Sequence, residues 1–72
     1  MDNCALTENM KTWLKDIYLS AAVEQRSAAS NYHLFALGSD SNEKATQFEE
    51  LADEHREFAH ILECLAKELD LD

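Results

Sequence analysis

The sequence predicts an all-α protein: an antiparallel hairpin of two long helices that pairs with a second copy to make a four-helix bundle. Three observations carry that prediction. The 72 residues include no proline and one glycine, Gly38, so the chain has a single obvious place to break an otherwise helical pattern. Apolar residues recur at steps of three, four or seven on both sides of that break. The resulting stripes are wider than one hairpin can cover, which calls for at least a dimer.

The first helix is expected over about residues 8–37. Thr7 can cap its first turn through the hydroxyl, Glu8 sits well against the helix dipole, and Gly38 is read as a left-handed terminator. Its stripe comprises Trp13, Leu14, Ile17, Ala21, Ala28, Phe35 and Ala36. A turn over residues 38–40 follows. Asp40 then serves as the next cap, with Glu43 three residues on in a capping-box arrangement, and the second helix runs over about residues 41–69. Phe48, Leu51, Phe58, Leu62, Leu65 and Leu69 form its stripe, and Val23, Leu34 and Ile61 widen the two. At 1.5 Å per residue each helix is roughly 45 Å long.

A chain of this length is one domain, 1–72, and a lone hairpin buries too little apolar surface to be stable without a partner. Six basic against 15 acidic side chains give a net charge of −9, which repels phosphate backbones and anionic lipid surfaces. Nucleic acid and membrane are therefore not expected partners. No basic stretch leads into an apolar core and cleavage site, and no apolar run has membrane-spanning length, so the expected location is cytoplasmic, in the open or inside an enclosing protein shell. Cys4 and Cys64 read as free thiols of a reducing compartment.

The residues that bear chemistry are polar side chains within the stripes. At 100° per residue, Glu24 falls within about 40° of the middle of the first stripe and Glu54 comes similarly close to the middle of the second. Folding the chain at residues 39 and 40 sets Glu24 across from Glu54, and two hairpins together would bring four such carboxylates into one interior. Inward carboxylates are costly unless paired or bound to metal. A hard cation, iron or manganese, takes carboxylate oxygens with an occasional imidazole. Glu57 lies three residues past Glu54 and can lean round from the side as a further ligand. His55 borders the stripe and is a candidate ligand in its own right, with Gln25 as its alternative, non-metal hydrogen-bond partner. The literal Glu-x-x-His pair, Glu57 and His60, falls on the polar back of the second helix. Tyr32 lies two turns past Glu24, where it could donate a hydrogen bond to a ligand or simply pack. The run Asp40-Ser41-Asn42-Glu43 is too short for a calcium loop, and capping accounts for it.

The stretch Glu24-Gln25-Arg26-Ser27-Ala28-Ala29-Ser30-Asn31-Tyr32-His33-Leu34-Phe35-Ala36, with FEELADEHREFAHILECL from Phe48 to Leu65, resembles half of a ferritin-like protein of the rubrerythrin and encapsulated-ferritin sort. That resemblance spans about residues 20–66 and implies a two-helix protein whose ferritin-like four-helix bundle and di-iron carboxylate site form between subunits. It also implies ferroxidase-type oxidation of Fe(II) and an encapsulating shell protein as partner. Two registers align the family's ligands. One, anchored on the Leu62-Glu63-Cys64-Leu65 end, places them on Glu24, Glu54 and Glu57, with Glu in place of the family's His. The other, anchored on Tyr32, Phe48 and Ala59, places them on Gln25, His55 and Phe58 and implies a metal-free relative. The family's C-terminal loading tag has no counterpart after Leu71 and Asp72. Against the iron-binding reading stands a metal-free four-helix dimerisation module that meets other proteins through its acidic outer face.

Overall fold

The computed structural model describes residues 6–70, which form two helices, α1 (Glu8–Leu37) and α2 (Asn42–Glu68), packed against each other. Thr7 caps α1 from an extended conformation, and its Oγ1 accepts the Met10 N–H at 3.1 Å. Glu8 occupies the first turn, near the positive end of the helix dipole.

The end of α1 differs from the expected left-handed stop. Gly38 has φ −91° and ψ 2°. Instead the last turn tightens: the Ser39 N–H donates to the Ala36 carbonyl at 3.2 Å and Ser39 Oγ donates to the Phe35 carbonyl at 2.8 Å. These bonds serve the terminal carbonyls that a left-handed cap would otherwise satisfy. The cap of α2 also differs, being Ser41 (φ −140°, ψ 147°) rather than Asp40, with Ser41 Oγ accepting the Lys44 N–H at 3.2 Å. The two residue types cap about equally well, so a one-residue shift costs little locally. Glu43 thereby becomes the second helical residue and interacts with the dipole instead of closing a capping box. At the far end Lys67 sits in the last turn, and Leu69 and Asp70 donate to Ala66 and Lys67 carbonyls in a tightened finish.

The helices run antiparallel along one seam built on alanines seven residues apart. Ala22, Ala29 and Ala36 of α1 are buried, as are Ala52, Ala59 and Ala66 of α2. Between these layers Tyr18 packs on the Ala22–Ala59–Leu62 cluster, Gln25 meets His55, and Tyr32 stacks on Phe48. Small residues at a seven-residue repeat let the backbones approach closely, so the pair needs little side-chain volume to fill the space between them.

This seam is not the set of stripes that the large apolar residues define. Of the residues expected to face inward, Trp13, Ile17, Phe35, Leu51, Phe58 and Leu65 are all exposed. Six of the seven buried residues are alanine, and among the described residues no large side chain is fully buried. A heptad seam competes with the wider stripe for the space between two helices, and the smaller side chains win because they permit the closer approach. The hairpin measures only 17 by 16 Å across, one layer of two helices, so the bulky residues have nothing among the described residues to cover them.

Candidate metal centre and association face

The two edges flanking the seam have opposite character. Residues four positions after a seam alanine make up a charged edge. There Arg26 grips Glu63 in a two-pronged contact, Nη2 to Oε1 at 2.7 Å and Nε to Oε2 at 2.8 Å. His33 Nδ1 lies 2.9 Å from Glu49 Oε2 on the same edge, and Lys15 Nζ reaches Asp70 at 2.8 Å. The Arg26 hydrogen bond holds the Glu63 carboxyl below the usual carboxylate range, and Glu63 in turn raises the Arg26 guanidinium above its ordinary value. This edge is zipped by ion pairs and wet.

Residues one position before a seam alanine make up the other edge. They are Ala21, Ala28 and Phe35 on α1 and Leu51, Phe58 and Leu65 on α2. In an antiparallel pair these rows lie on the same side of the seam. Ile17 and Ile61 extend the surface outward from each helix, and Trp13, 65% exposed, stands at its end beside an open groove lined by Asp16, Ile17, Ser20, Ala21 and Glu24. Val23, Leu34 and Leu37 are exposed on other faces of α1.

The carboxylates belong to this apolar side. Glu24 and Glu54 each lie two residues past a seam alanine, Ala22 and Ala52, and both are exposed in the single hairpin. Neither forms an ion pair with another described residue: the arginines two positions on are engaged elsewhere, Arg26 by Glu63 and Arg56 by Asp53. Across the seam itself the residues that meet are Gln25 and His55, one position along from the Glu24 and Glu54 pairing read from the sequence. His55 Nδ1 is hydrogen-bonded to Gln25 Oε1, and the imidazole stacks on Tyr32 at 5.3 Å between ring centroids, with planes 14° apart. Tyr32 also stacks on Phe48 and meets Phe35 edge-on, so its ring is packed among aromatic neighbours. Glu57 lies on the outer, exposed face of α2, as does His60.

Within one chain these donors do not converge. Among the described residues no three His, Cys, Asp or Glu side chains gather closely enough to hold a metal ion. A complete ligand shell built on Glu24 and Glu54 therefore requires donors from a second copy. Cys64 is an exposed free thiol with Sγ 3.6 Å from His60 Nε2, a neighbour four residues back that sequence reading passed over; Cys4 lies outside the described residues. The alanine heptads were the other missed signal, and Ala22-Ala29-Ala36 with Ala45-Ala52-Ala59-Ala66 is visible in the sequence once a seven-residue spacing is sought.

No protein-family model, curated protein or solved structure matches the chain. The class that fold and site define is thus an all-α two-helix hairpin with one charged and one apolar edge. No described helix is long and apolar enough to cross a membrane.

Proposed function

We propose that this chain is one protomer of a ferritin-like four-helix bundle in which Glu24 and Glu54 of two copies bind iron, or manganese, between subunits. The observation that carries the reading is the shared position of the two carboxylates. Both stand two residues past a seam alanine, on the outer flank of the apolar edge and at the same step of the heptad, and the register of the seam sets them about 3 Å apart in height along the bundle. Carboxylates covered by a second copy need a counter-charge, and with Arg26 committed to Glu63 and Arg56 to Asp53 a hard cation is the natural one. His55 has one ring nitrogen committed to Gln25, so it serves the seam before it serves a metal. Glu57 would have to reach round from the outer face of α2. Iron held by the carboxylates would supply Fe(II) oxidation of the ferroxidase kind, and a shell protein that encloses the assembly is the partner the resemblance suggests.

Anaerobic Fe(II) titration of the metal-free protein, followed by air, tests this. About one iron per chain is expected, since a two-metal site shared by two copies supplies that ratio. Glu24→Ala and Glu54→Ala should each abolish the binding. Iron no higher than background in the parent chain, or unchanged in the variants, overturns the site.

A second reading is favoured by the Gln25–His55 hydrogen bond, because it occupies the positions that the alternative register assigns to ligands. In that case the bundle is a metal-free association module. It would show the same assembly with no iron uptake.

A further inference from the structure

We propose that His60 and Cys64 form a two-donor chelate on the outer face of α2 for a divalent cation of the zinc class. The site lies apart from Glu24 and Glu54, uses different chemistry and does not depend on iron there. The first ground is geometry. Residues four apart on a helix are neighbours on one face, and here Cys64 Sγ stands 3.6 Å from His60 Nε2. A zinc ion bonded to sulfur at about 2.3 Å and to nitrogen at about 2.0–2.1 Å, with a tetrahedral angle between the bonds, sets those two atoms about 3.6 Å apart. The pair therefore already has the bite of a tetrahedral site. In the metal-free chain the same separation suits a thiol S–H donating to Nε2, so a cation can replace that proton with little movement of either side chain. On binding, the thiol proton leaves to solvent as the sulfur–metal bond forms, and Nε2 gives its lone pair to the metal.

The second ground is access. Both residues are exposed and stand outside the seam and the ion pairs of its charged edge. An open groove lined by Arg56, Glu57, His60 and Ile61 brings solvent to the imidazole. Arg56 is held by Asp53 at 2.6 Å and Glu63 by Arg26, which leaves Glu57 and Glu68 against Lys67 around the pair, a balance that favours a cation. The third ground is donor type. A thiolate with an imidazole selects zinc, whereas hard cations prefer carboxylate oxygens, so this pair and the Glu24 and Glu54 carboxylates call for different metals. No third His, Cys, Asp or Glu gathers with the pair among the described residues, and two of the four coordination positions are left to solvent or small ligands. The chelate is thus an exchangeable site and not a structural zinc that holds the fold.

The test titrates Co²⁺, a spectroscopic substitute for zinc, into the full chain carrying Cys4→Ser, air-free and with a phosphine reductant, so that Cys64 is its single thiol. A thiolate-to-metal absorption band is expected, saturating at one Co²⁺ per chain and disappearing when Zn²⁺ is added. Cys64→Ser should abolish the band. His60→Ala should weaken binding by more than about tenfold, the lower end of what losing even an outer partner of a metal ligand costs. Glu24→Gln with Glu54→Gln should leave the band unchanged, which separates this result from any loss of iron. Saturating Zn²⁺ should also slow alkylation of Cys64 in the Cys4→Ser chain, a measurement that needs no substitution at the site. Absence of the band, or alkylation unaffected by Zn²⁺, overturns the proposal. Binding as tight in His60→Ala overturns the chelate, because the thiol alone would then hold the metal. A band lost with Glu24 and Glu54 overturns it too, since the metal would sit with the carboxylates.

Discussion

Gly38 illustrates how a residue's reputation differs from its work. Its φ of −91° is open to any L-residue, and a Cβ built there would meet only the Leu34 and Phe35 carbonyl oxygens, at 3.6 and 3.9 Å. Gly38→Ala should therefore stabilise the hairpin by about 0.4–1 kcal/mol through the unfolded chain, read as a higher urea midpoint with unchanged slope. The two cap candidates separate as cleanly: Ser41→Ala should cost about 1 kcal/mol, while Asp40→Ala should fall within about 0.5 kcal/mol of neutral. Equal losses would show that both side chains serve the turn. The Arg26–Glu63 contact has a defined pH signature. Because the Arg26 hydrogen bond lowers the folded-state pKa of Glu63, its contribution is present above the ordinary carboxylate range and is lost as pH falls through the depressed value. Comparing the parent with Glu63→Gln across acid pH should show an advantage at neutrality that disappears in acid. Both partners are solvent-exposed, so high salt should shrink it as well.

At the scale of the helix pair, the seam is a device of small residues, and its failure mode is overfilling. Ala59 and Ala52 have no exposed surface at all, so a leucine at either must push the helices apart or leave its rotamer. Ala59→Leu should cost about 1–3 kcal/mol in thermal or urea unfolding. Ala28→Leu, one step off the seam, should be far milder in the hairpin itself. A seam that tolerated Ala59→Leu as readily would mean the helices are not held at close approach. The same contrast explains what the sequence disclosed. The helices were legible because Thr7 is a strong cap and Gly38 is the lone punctuation, both local signals. The seam was not, because hydrophobicity draws attention to Trp13, Phe35 and Phe58, whereas alanine is only weakly apolar and gains its role from backbone approach. Glu24 and Glu54, expected to face inward, are exposed in the hairpin, and Gln25 and His55 meet across the seam one position along on each helix, because the alanine heptads and not the large apolar residues decide which faces meet. One position on a helix is 100°, enough to exchange Glu24 and Glu54 for Gln25 and His55.

On the scale of the whole molecule, the proposed bundle sets an apolar drive to associate against an electrostatic obstacle. Each chain carries a net charge of −9, and the proposed site adds four carboxylates, Glu24 and Glu54 of each copy, at one level of the bundle. Like charges brought together out of water repel strongly, and a divalent cation or protons must relieve that repulsion. Iron binding and assembly are then linked, each strengthening the other by the same factor. The carboxylates must act in opposite directions with and without metal. Replacing Glu24 and Glu54 together by Gln keeps size and hydrogen-bonding capacity while removing the charge. In chelator the double variant should dimerise more tightly than the parent, by about tenfold or more for each 1.4 kcal/mol of repulsion relieved. The gain should be largest at low ionic strength, where surface charges are least screened. With iron the order should reverse, the parent tightening and the variant showing no response. Dissociation constants from sedimentation in chelator, at two salt concentrations, decide the matter. A double variant that dimerises less tightly than the parent would mean that the four carboxylates make favourable contacts rather than repelling, and the convergence of Glu24 and Glu54 at one level of the bundle would be refuted.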